Sequence, residues 1–285
     1  MNNTVNMNTL LDAAGKIDTT KGLGKKYELT DETYNYKGII LHRIKALGYF
    51  RTHWKDVHPG DLGGFIESEE NLPQYGTCWV TGKAFVFGDA LIAGDALVMD
   101  DAWVYDNAKV DGNAVICGAA KIYGDASVDG HVIVRGHAQI YDNAIIDNDC
   151  IVSGETAIFE DAQMNDNASV DGSARVYGKA FLCNHATVKD NAEVYGAAII
   201  ADNALVCGDA RVHDAAQVRC NAKVSGGACI YEKAIVTGNT IINKFVTVHG
   251  DAYVDGHAFI SGSSDVAGKT SVTGDMHIMA SDELC

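Results

Sequence analysis

The chain has 285 residues, with 30 Gly and only 2 Pro, and its 38 Asp and Glu outweigh 22 Lys and Arg to give a formal charge of −16. That balance argues against electrostatic capture of nucleic acid or of an anionic membrane surface. The 8 cysteines form no CxxC pair, no apolar run reaches the length of a membrane span, and no secretory signal opens the chain, so a cytoplasmic protein with reduced thiols is expected.

Residues 1–24 are read as a mobile N-terminal segment, with a short helix around Leu10 to Ala14 as the alternative. Residues 25–79 are read as a small α+β capping region. Within it "KKYELTDE" (25–32) suits a strand entering a turn, "GIILHRIKAL" (38–47) suits a strand or a helix, and "HPGDLGGFIESEENL" (58–72) is turn-rich and then apolar. A cap is the natural role, because the open end of a repeat array exposes unpaired strand edges and apolar core.

From Val80 to Ile278 every sixth residue is aliphatic or Met, 34 positions in succession. A second series from Ala84 to Met276 has Ala at 25 of its 33 positions. The unit reads V-x-G-D-A-x, and its Gly place, from Gly82 to Gly274, holds Gly at 20 of 33 positions. Ala and the following Val stand two apart, so in an extended segment they share one face and the residue between them points away. Gly, Asp and Asn then supply a corner, since they accept positive φ or bond locally to the backbone. Each hexapeptide is therefore a short strand plus a corner; a helix is excluded because a period of six drifts around 3.6 residues per turn. Residues 279–285 are read as a short C-terminal tail.

The residue after the Val sets the number of sides. Tyr105, Tyr123, Tyr141, Phe159, Tyr177 and Tyr195 stand 18 apart, Phe87 precedes them, and His213, Tyr231 and His249 follow. Asp111, Asp129 and Asp147, then Asn165, make a second column of the same spacing. Eighteen is three hexapeptides, so the expected fold is an all-β solenoid, a three-sided parallel β-helix. About eleven coils at a sheet spacing of about 4.8 Å make a prism roughly 50 Å long.

A triangular solenoid of hexapeptides with inward Ile/Val and small residues resembles the left-handed parallel β-helix family, which implies the left hand for the coil. "LHRIKAL", "GDLGGFIESEENL" and the V-x-G-[DN]-A repeats narrow the resemblance to the YdcK-like hexapeptide-repeat proteins of bacteria and phages, often labelled transferases. This covers the chain from about residue 25. It implies architecture more than activity, because a fold does not fix a function.

The enzymes on this fold are acyltransferases that use acyl-CoA and a His general base between subunits. By that resemblance His213 and His249 are the catalytic candidates, with acetyl-CoA as the cofactor. Such enzymes break their repeat with a protruding loop, whereas this repeat is unbroken from 80 to 278. His131, His137, His185 and His257 occupy the Asp/Asn corner place and read as turn residues. No metal is expected: His213 and His249 lie two coils apart with Tyr231 between them, too far to share one ion. The Asp111/Asp129/Asp147 column invites a cation, but corner geometry is the simpler account.

The aromatic column reads either as corner cover or as an anchor for another chain. The outward column Leu97, Val115, Ile133 and Ile151, continued by Leu205, Ile241 and Phe259, is too apolar for a solvated face. The expected function is a non-catalytic rigid scaffold without cofactor, a homo-oligomer with the trimer favoured, presenting aromatic and acidic faces to a protein partner. The alternatives are the acyltransferase and a phage or mobile-element effector whose acidic prism (net −15 over residues 80–285) mimics nucleic acid.

Overall fold

The computed structural model describes residues 24–279 and the strand 283–284. Its first five strands are β1 (Tyr27–Tyr36), β2 (Ile39–Ala46), β3 (Phe50–Arg51), β4 (Asp56–Val57) and β5 (Leu62–Ile66). Thereafter strands of two residues recur every six residues, from Trp79–Val80 to Glu283–Leu284. They stack in three parallel sheets. The first runs through Phe85–Val86 and Trp103–Val104, the second from Leu91–Ile92 to Ser271–Val272, and the third from Trp79–Val80 to His277–Ile278. Partners are always 18 residues apart, as in Trp103↔Lys121 and Val104↔Ile122. The fold is the three-sided parallel β-helix expected. The third sheet holds twelve strands, one coil more than the expected eleven, because partial coils at both ends also contribute strands.

All 34 inward aliphatic positions are buried, the most exposed being Ile278 at 5%. The Ala series is buried as well until Thr270 and Met276 in the last coil. A small side chain is needed there because three strands converge on one narrow axis. Every corner residue from Gly82 to Gly274 has positive φ, and thirteen of these 33 are not Gly. Gly dominates because that backbone region strains a Cβ. At Gly130 an added Cβ would also stand 2.7 Å from the Asn148 backbone.

The cap is all β among the described residues, which corrects the α+β reading of 25–79. "GIILHRIKAL" is strand β2, because it is paired on both sides, antiparallel to β1 and to β5. The helix suggested around Leu10 to Ala14 lies outside the described residues. Strand β5 converts the antiparallel cap into the parallel coil by pairing Phe65↔Phe85 and Ile66↔Val86. Gly64 makes that approach possible, since a Cβ there would stand 2.6 Å from the Ala84 carbonyl oxygen. The β3–β4 hairpin lays Phe50 on Trp79 at 5.2 Å, and Tyr27 of β1 meets the same indole edge-on at 6.1 Å. The core of the solenoid is thereby continuous with the core of the cap.

Candidate functional site

The parallel register turns each 18-residue spacing into a column on the prism surface. In the aromatic column, ten rings from Phe87 to His249 stack with centroids 4.7–5.2 Å apart and planes within 9°. Tyr105, Tyr123, Tyr141, Tyr177, Tyr195 and Tyr231 are half-buried, while Phe87 and Phe159 are buried. Tyr36 of β1 closes the upper end on Phe87 at 5.5 Å. Burial, with the charge of neighbouring groups, pushes Tyr105 up to about 12 and raises Tyr123, Tyr141, Tyr177, Tyr195 and Tyr231.

The acidic column is held by its own corners. Asp111 accepts a hydrogen bond from the Gly112 amide at 2.8 Å, Asp129 from Gly130 at 2.7 Å and Asp147 from Asn148 at 2.6 Å. Lys109 pairs with Asp111 at 3.2 Å. A separate acidic set sits at the positive-φ places and bonds to the coil below: Asp100, Asp190 and Asp202 accept from the amides of Gly118, Gly208 and Cys220, each at 3.0 Å. Much of the prism's acidity is thus backbone capping. Among the described residues no group of three His, Cys, Asp or Glu is placed to hold a metal ion.

The apolar column on the third sheet is not exposed throughout, as had been expected. Leu97 and Val115 are buried, at 1% and 8%. Tyr27 and Phe50 of the cap close over Trp79, and Leu97, in register with Trp79, joins the same cluster. Ile133 is half-buried, and Ile151 and Ile241 are 40% and 39% exposed. The second sheet adds Ile145 at 44%, and Phe245 stands out at a corner at 74%.

His213 and His249 sit in the ring column on either side of Tyr231, with centroids 5.2 and 4.8 Å from it, so they share no ligand position. Each has its own partners. His249 places Nε2 3.2 Å from Asp265 Oδ1 and Nδ1 3.8 Å from Glu232 Oε2. His213 places Nδ1 3.3 Å from Asp214 Oδ2 and Nε2 3.4 Å from Cys229 Sγ. Cys229 is half-buried on the outward face of the first sheet, in register with Arg211 above and Thr247 below. Burial holds its thiol above the usual range, opposed by Arg211 and reinforced by Asp214.

Cys229 and Asp214 were not among the residues singled out from sequence. Cys229 lies 16 residues after His213, one coil less two, so its mid-strand side chain sits diagonally beneath the corner ring of the coil above, and no repeat in the sequence marks that pairing. Sequence reading also missed Lys26, a buried ammonium that donates to the Cys78 carbonyl at 3.0 Å and the Tyr75 carbonyl at 3.3 Å. Burial lowers its pKa. A column of amides, imidazoles and carboxylates at the corners, such as Asn203–Asn221–Asn239–His257, went unnoticed too, with side-chain contacts of 2.9–3.1 Å.

Comparison with known proteins agrees with the architecture. A family model described as the YdcK beta solenoid repeat matches residues 138–154. No curated protein matches the chain.

Proposed function

For a chain that is a YdcK-like β-helix protein, we propose the function of a rigid binding scaffold, self-associated and presenting its remaining faces to a protein partner. The observation that carries this is the apolar outward surface of the second and third sheets: Ile145 and Ile151 are exposed on neighbouring faces, and five coils further along Ile241 is exposed near the corner residue Phe245. Isolated exposed apolar residues need no explanation, but β-branched side chains repeated on two flat faces favour association. A prism braced by stacked rings and by corner bonds in every coil is stiff enough to hold such a surface without adjustment. The resemblance adds the trimer with parallel axes as the favoured state. Part of the acidic surface is accounted for by corner capping, which speaks for the scaffold over a nucleic-acid mimic.

Sedimentation equilibrium tests the proposal. The wild-type chain is expected at a multiple of its monomer mass, and Ile151→Lys combined with Ile241→Lys is expected to reduce that mass without melting the solenoid. A wild-type monomer at all concentrations would overturn self-association. Calorimetric titration with acetyl-CoA separates the acyltransferase alternative: saturable heat at micromolar ligand would bring that alternative forward.

A further inference from the structure

The cluster around His213 has a chemistry that a scaffold does not require. Asp214 Oδ2 stands 3.3 Å from His213 Nδ1, and because a carboxylate can only accept, its charge favours the proton on that nitrogen. That tautomer leaves the Nε2 lone pair directed at Cys229 Sγ, 3.4 Å away. The group orienting the imidazole is itself fixed: Asp214 sits at a positive-φ corner, φ 57°, and its Oδ2 also accepts the Glu232 amide at 3.1 Å. The ring is clamped between Tyr195 at 4.7 Å and Tyr231 at 5.2 Å, nearly parallel to both. Thiol, imidazole and carboxylate therefore stand in the order nucleophile, base, orienting group, each held by contacts outside the trio.

We propose that Cys229 is a base-assisted nucleophile, a site of covalent modification by small uncharged carbon electrophiles. In the step, Sγ forms a bond to the electrophilic carbon. That carbon's bond to its leaving group breaks, the leaving group departs with the electron pair, and the thiol proton passes to His213 Nε2. The imidazolium so formed is stabilised by Asp214. An uncharged reagent suits the face because charges of both signs flank the thiol: Arg211 is in register with it, and Glu193 pairs with Arg211 at 3.5 Å. Since burial raises the thiol's pKa, its resting form is S–H, and the imidazole acts by taking the proton as the sulfur attacks.

The chain supplies its own controls. Cys117 and Cys183 are also half-buried, with thiols raised by burial, and also face carboxylates and one arginine. They differ from Cys229 in what replaces the imidazole: Cys183 Sγ, for example, is 3.8 Å from Asn184 Oδ1. Iodoacetamide labelling of the native protein at neutral pH, followed by mass spectrometry of each cysteine peptide, tests the proposal. Cys229 is expected to react at least about tenfold faster than Cys117 and Cys183. His213→Phe, which keeps a ring in the stack, is expected to bring Cys229 down to their rate. His213→Ala with free imidazole added is expected to recover part of the lost rate, which a purely structural histidine would not allow. Asp214→Asn keeps a residue type that already occupies such corners at Asn148 and Asn184, and is expected to give an intermediate rate. Equal rates at the three wild-type thiols, or an unchanged Cys229 rate in His213→Phe, would overturn it.

Discussion

Asp202 and Cys220 stand on consecutive coils, and the carboxylate of the first accepts the backbone amide of the second at 3.0 Å. Both occupy the positive-φ corner place, with φ of 59° each. The corner amide takes no part in the ladder of the sheets, so a side chain caps it, either from one coil above as here or from the preceding residue as Asp129 does for Gly130. This explains why the non-Gly residues tolerated there are so often Asp. Asp pays for an unfavourable backbone by bonding forward, while Gly avoids the strain and makes no such bond.

Replacements at Asp202 separate those two effects. Asp202→Ala loses the hydrogen bond and keeps the strain, and is expected to cost about 1–2 kcal/mol. Asp202→Gly loses the same bond but relieves the strain, so its cost is expected to be smaller. Denaturant unfolding of both variants measures the difference; an alanine variant as stable as the glycine variant would contradict the corner account.

Thr156 is the one inward hydroxyl with no hydrogen-bond partner among the buried side chains described, apart from which only the Asn243 carbonyl oxygen is unpaired. At the equivalent place Thr240 donates to the Thr237 carbonyl at 2.6 Å. Thr156→Val keeps the volume, introduces a residue the series already contains at Val132 and Val246, and removes the unmatched polar atom. It is expected to stabilise the protein by about 1 kcal/mol or more, read as a raised thermal midpoint.

The tyrosine column makes stability fall at high pH. The folded pKa values lie above the ordinary 10.0, and that of Tyr105 reaches about 12. For an acid whose pKa is raised by folding, the neutral form is favoured in the folded state. Its contribution is complete below pH 10 and is lost as pH climbs toward 12. Phenolate absorbance of the folded protein is expected to appear later than that of the denatured chain, and Tyr105→Phe to flatten the decline in thermal midpoint over that window.

What the sequence by itself determined is everything that depends on period. A repeat of six with a column spacing of 18 assigns each residue to the inside, the outside or a corner, and it does so independently of how the coils are joined. The stacked rings from Tyr105 to Tyr195 follow directly, because parallel in-register strands place equal positions one sheet spacing apart. Only the tertiary structure decided the contacts that run diagonally or between the cap and the coil. The meeting of His213 with Cys229 depends on the direction in which a corner side chain leans across its neighbour, and a spacing of 16 carries no period to reveal it. The burial of Trp79 likewise depends on Phe50 and Tyr27 of the cap closing over it, and the burial of Lys26 on carbonyls some fifty residues away. Such contacts arise from the shape of one folded unit resting on another, and local pattern does not encode them.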